Sequence, residues 1–90
     1  MNFYQKINKV SEDIMQLKEK LNGVAVDFLD NEEKIEYYKI MQLVDFHIAS
    51  LLELVMDENK EFVKNNINFI KDIIKNIESF IFEVNNNLNI

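Results

Sequence analysis

The sequence predicts an all-α protein, a three-helix antiparallel bundle with coiled-coil-like seams. Apolar residues recur at alternating steps of four and three in three separate segments, proline is absent, and the single glycine stands where the first segment ends.

The first segment sets Phe3, Ile7, Val10, Ile14, Leu17 and Leu21 on one narrow face, as in a helix that packs along a partner. Asn22-Gly23 ends it. Glycine readily takes the left-handed conformation that closes a helix, so the first helix is expected over about 3–22. The connector "VAVDFLD" carries Val24, Val26, Phe28 and Leu29 and is expected to pack on the core. Asp30 followed three residues later by Glu33 predicts a capping box, which starts the second helix near Asn31.

The second helix, expected over about 31–57, has the seam Tyr37, Met41, Val44, Ile48, Leu51 and Val55. From Ile40 to Met56 twelve of seventeen residues are apolar, and Gln42, Asp45, His47, Ser50 and Glu53 scatter round the wheel. A helix apolar nearly all round is a buried one. Its length and two carboxylates argue against a membrane span. "MDENKEF" then interrupts the pattern, and a tight turn is expected near 57–60. Asp57, Glu58 and Asn59 suit the start of a following helix, although no proline or glycine forbids one continuous helix here.

The third helix, expected over about 59–87, has the seam Val63, Ile67, Ile70, Ile74, Ile77, Ile81, Val84 and Leu88. Phe62, Phe69, Ile73 and Phe80 widen it on one side, and Lys64, Asn65, Lys71, Asp72, Lys75 and Ser79 take the solvated face. The Asn-rich end "NNNLNI" is expected to fray.

Ninety residues make one domain, 1–90, with little net stability once roughly 1.5 kcal/mol of ordering entropy per residue is offset. Without cysteine there is no disulfide to help, so oligomerisation is expected. A first helix of roughly 30 Å cannot cover neighbours of about 40 Å or more. A homodimer is the expected solution, with a trimer as alternative because isoleucine fills both seam positions of the third helix. The residues assigned to self-association are Phe46, Leu52, Leu54, Met56, Phe69, Ile73 and Phe80.

The net charge of −6 is unevenly spread, +1 over 1–22, −7 over 23–58 and 0 over 59–90. Such a chain is repelled by nucleic-acid phosphates and anionic membranes, so neither direct nucleic-acid binding nor membrane binding is expected. Asp27, Asp30, Glu32, Glu33 and Glu36 surround the start of the second helix, and Glu53, Asp57, Glu58 and Glu61 surround its end. Capping and solubility account for such acids in the simplest case. In the alternative they form an anionic surface that docks a protein partner with a basic face.

Chemical motifs are sparse. His47 is the one histidine, and Asp45 two residues away faces elsewhere on the helix, so a packed role is expected. The di-iron Glu-x-x-His spacing fails because Val44 stands three before His47. "DENKEF" starts like a calcium loop, but Phe62 replaces the required glycine and Asn68 the bidentate acid. No catalytic residue, metal or cofactor is expected, and the chain is read as a non-enzyme.

The leading functional expectation is a helical interaction protein that blocks or modulates a basic macromolecule. Lysine and asparagine without arginine mark an AT-rich source such as a low-GC bacterium or its virus. Small acidic helical proteins from such sources include phage inhibitors of host nucleic-acid-binding defence enzymes, anti-CRISPR proteins among them; this is analogy of class, with no motif behind it. The N-terminus lacks a long apolar leader, so a cytoplasmic place is expected, the host's if phage-encoded. The alternatives are a cellular accessory protein (antitoxin, bacteriocin immunity protein or chaperone) and a bundle that sequesters a small molecule among Tyr37, Tyr38, Phe69 and Phe80.

Overall fold

The computed structural model describes residues 2–88, and among them helix is the only regular structure. Four α-helices follow in order: α1 (Phe3–Asn22), α2 (Asn31–Leu54), α3 (Lys60–Asn65) and α4 (Ile67–Leu88). Single 3₁₀ turns at Val26–Phe28 and Asp57–Asn59 lie in the connections.

The start and end of α1 follow from its sequence. Asn2 caps it, with the Gln5 amide donating to Asn2 Oδ1 at 2.8 Å and the Asn2 amide donating to Gln5 Oε1 at 3.1 Å. Gly23 closes the other end, but in right-handed geometry, φ −82° and ψ −5°. The left-handed closure expected there does not occur. A 3₁₀-type bond from the Val24 amide to the Leu21 carbonyl (3.1 Å) completes the last turn instead. Tyr37 of α2 also donates its hydroxyl to the Leu21 carbonyl at 2.8 Å, which fixes α2 to the end of α1.

The predicted capping box starts α2: the Glu33 amide donates to Asp30 Oδ1 at 2.8 Å and the Asp30 amide to Glu33 Oε1 at 3.0 Å. The helix stops at Leu54 rather than 57. Asn59 is the reason, because its side-chain amide donates to the Glu53 carbonyl at 2.7 Å and folds the chain back over the helix end. Asn59 thus caps the preceding helix and makes no side-chain cap for the following one. A continuous helix through 57–60 is excluded.

The third predicted helix is two. Asn66 leaves helical geometry at φ −130° and ψ 33°. Its side-chain amide donates to the Phe62 carbonyl at 2.8 Å, while its own carbonyl accepts from Ile70 at 3.0 Å. One residue therefore ends α3 and opens α4, an alternative that asparagine can offer the backbone against the helical ladder. Ile67, counted in the seam, is displaced by the break and is exposed. The lengths change too: α2 spans about 36 Å and α4 about 33 Å against about 30 Å for α1, so the expected mismatch shrinks to a few ångströms. Asn89 and Ile90, at the end expected to fray, lie outside the described residues, as does the side chain of Leu88.

Both α2 and α4 pack on α1. Lys18 meets Asp45 at 2.7 Å and Tyr37 meets Leu21, so α1 and α2 run in opposite senses. Lys6 meets Glu78 at 4.0 Å and Lys20 meets Asn85 at 3.2 Å, so α1 and α4 run in the same sense. The core comprises Ile7, Val10, Ile14, Leu17 and Leu21 of α1, Val44 and Leu51 of α2, Val63 of α3, and Ile70, Ile74, Ile77 and Val84 of α4. Every member is a branched aliphatic residue, and the five from α1 are its expected seam without Phe3, which packs at the margin. In the first connector Val24, Val26 and Leu29 are half-buried, whereas Phe28 is 90% exposed.

The geometry at Gly23 gives a direct test. A Cβ there meets the Lys20 carbonyl oxygen at an ordinary 3.4 Å, and φ is negative. Gly23→Ala is expected to raise stability by about 0.4–1 kcal/mol through the unfolded chain, measured by urea denaturation. A loss of about 1 kcal/mol or more would show that the residue is left-handed in solution.

Candidate interaction site

The residues on which the functional expectations rest lie on α2, in the connections at its two ends, and on α3 and α4. The nine acids associated with α2 are all exposed and fall into two groups, one at each end of a helix about 36 Å long, so they do not merge into one surface. Asp30 and Glu33 are engaged in the capping box, and Asp57 pairs with Lys60 at 3.2 Å. Asp27, Glu32, Glu36, Glu53, Glu58 and Glu61 make no ion pair among the described residues. Capping explains two acids, and six are left to face solvent.

The apolar residues assigned to self-association divide differently. Phe46 (65% exposed) and Phe69 (58%) are largely bare, Leu52 and Met56 are exposed by nearly half, and Leu54, Ile73 and Phe80 are half-buried against the chain's own core. More of α2 is bare than that assignment included. Ile35, Tyr38 and Leu43 are exposed as well, so the helix read as buried on all sides is uncovered along its whole outer side. Its sequence holds the signal in a second row beside the seam: Ile35, Lys39, Gln42, Phe46, Ala49 and Glu53 again step by four and three, and all six are exposed.

Aromatic placement is consistent with this. None of the seven phenylalanines or three tyrosines is buried, although phenylalanine ranks among the residue types most often found inside. Aromatic residues enriched on a surface characterise protein–protein interfaces. The total accessible surface is 6598 Å². A compact monomer of 10.7 kDa exposes roughly 5,500 Å². The molecule, extended to 46 × 23 × 18 Å, thus carries about a fifth more surface than its mass requires.

The four aromatics considered for a ligand pocket do not converge. Tyr37 lines an open cleft of about 260 Å³ with Leu21, Val24, Leu29, Ile40 and Val84, and Glu33 and Glu36 stand at its edge. Tyr38, Phe69 and Phe80 are not among its walls. No helix is long and apolar enough to cross a membrane among the described residues, and no cluster of three or more metal-ligating side chains occurs among them.

His47 packs between aromatics, its ring edge-to-face with Phe46 at 5.8 Å and with Phe80 at 5.0 Å. Burial lowers its pKa below the ordinary 6.5. The folded chain then binds fewer protons than the unfolded chain just below pH 6.5, so stability falls as pH drops through that value toward the depressed one. The urea midpoint should decline between pH 7.5 and 5.5, a range above ordinary carboxylate titration at about 4, and His47→Phe should flatten the decline. An unchanged slope in the variant would assign the effect elsewhere. No family model, curated protein or solved structure matches the chain.

Proposed function

We propose that the protein is a non-enzymatic interaction module: a helical bundle that self-associates through the outer side of α2 and docks a basic macromolecular partner through the acids at that helix's ends. The observation that carries the proposal is the bare outer side of α2, where Ile35, Tyr38, Leu43 and Phe46 are 47–65% exposed. Covering those side chains stabilises an assembly at about 25 cal/mol per Å² of apolar surface removed from water.

Support for the basic partner comes from the charge of −7 over residues 23–58 and from the six acids that face solvent and make no ion pair among the described residues. Each of the two acidic clusters presents to a cationic groove what a nucleic acid presents, closely spaced negative charges. Inhibition of a nucleic-acid-binding enzyme, in the manner of a phage-encoded blocker acting in the host cytoplasm, is the most specific form of this proposal. The second reading is a cellular accessory role in which a different protein covers α2. The same bare aromatics favour it, and the two separate on whether the isolated protein is a homo-oligomer.

Charge reversal tests the docking role. Glu32→Lys with Glu36→Lys exchanges one like-charge pair for another one helical turn apart, so the pair's contribution to stability should shift by only a few tenths of a kcal/mol. Association with the basic protein captured on the wild-type chain should slow severely at low salt. The difference should shrink toward 0.5 M salt, where the Debye length is about 4 Å. An association rate unchanged at low salt would return these acids to capping and solubility.

A further inference from the structure

We propose that two copies meet with α2 antiparallel to the second copy's α2 across a two-fold axis at Phe46. The inference rests on the self-association proposed above and adds its geometry. Phe46 is the most exposed apolar side chain of α2 and sits in the outward row Ile35, Lys39, Gln42, Phe46, Ala49 and Glu53. Lys39 lies seven residues before it and Glu53 seven after, two turns either way on the same side of the helix. Neither makes an ion pair among the described residues, whereas Asp45 nearby is held by Lys18 at 2.7 Å.

An antiparallel pair centred on Phe46 sets each residue n positions before it against the residue n positions after it in the second copy. Lys39 of each copy then faces Glu53 of the other, giving two ion pairs from one relation. Leu43 meets Ala49, a large residue against a small one, and Gln42 meets Ser50, two side chains able to hydrogen-bond. A parallel pair sets Lys39 against Lys39 and Glu53 against Glu53, and both contacts repel. The paired stretch 38–54 lies wholly within α2. Area agrees as well. The surface of 6598 Å² exceeds that of a compact monomer by about 1,100 Å², and a standard interface takes about 800 Å² from each partner.

The chain has no cysteine, so single cysteines report the geometry cleanly. Phe46→Cys should form a covalent dimer rapidly under mild oxidation, because a two-fold axis at this residue brings the two Cβ atoms within the roughly 4 Å that a disulfide needs. Phe28→Cys and Phe82→Cys, at sites 90% and 67% exposed, should cross-link far more slowly. Independently, Lys39→Glu and Glu53→Lys should each weaken dimerisation about tenfold, and the double variant should restore it to within about threefold. Light scattering of the wild-type chain at micromolar concentration separates the two levels of the proposal. A dimer whose cross-linking is no faster at residue 46 than at 82, and whose charge swap is not rescued, overturns the axis and leaves self-association standing; a trimer does the same. A monomer overturns both.

Discussion

The seam of α1 is the one surface that α2 and α4 share, and the arrangement of the chain depends on it. Ile7, Val10, Ile14, Leu17 and Leu21 are at most 2% exposed, and the helix that carries them packs against both α2 and α4. Their partners Val44, Leu51, Ile70, Ile74 and Ile77 are equally short and branched. Cores of this kind lock into few rotamers and let helices approach closely, and truncating one such residue costs about 2–5 kcal/mol. The twelve buried core residues among those described are all aliphatic, and the ten aromatics stand at the core's margins or outside it.

That exclusion links the fold to the proposed function. Phe3, Tyr37 and Phe80 are half-covered at the edges of the core and fasten the helices to one another. The other seven face solvent, Tyr38 and Phe46 of them on α2. Helix α2 gives only Val44 and Leu51 to the fully buried set, the fewest of the three long helices, although ten of its fifteen residues from Ile40 to Leu54 are apolar. Its composition exceeds what its own chain covers. The proposed dimer and the proposed basic partner meet only at Glu53: the dimer takes the outer flank with Lys39 and Glu53, and the basic partner takes the other acids at the two ends.

Much of this was legible in the spacing of residues. The α1 boundaries follow from a narrow seam and a terminal glycine, and the start of α2 follows from Asp30 and Glu33, since caps and seams are local signals. The breaks governed by asparagine were not legible. Asn59 and Asn66 are two of thirteen asparagines, and what distinguishes them is that a side-chain amide reaches the carbonyl of Glu53 or Phe62, a fact of three-dimensional proximity. The apolar beat runs through Asn66 unbroken, so periodicity alone joined α3 to α4. For α2 the pattern showed apolar residues nearly all round the wheel and implied burial on every side, and only the fold shows that the rest of the chain leaves the outer side uncovered. The acids were equally visible, but which of them cap the helix had to await the hydrogen bonds.

The central claim is that another copy of the chain covers the outer side of α2 in solution. The most direct measurement is the thermal unfolding midpoint over a hundredfold range of protein concentration. Folding coupled to dimerisation makes the midpoint rise steadily with concentration, because association draws on the folded state by mass action. A midpoint independent of concentration, with the chain fully folded at the lowest concentration and monomeric throughout, would contradict the account.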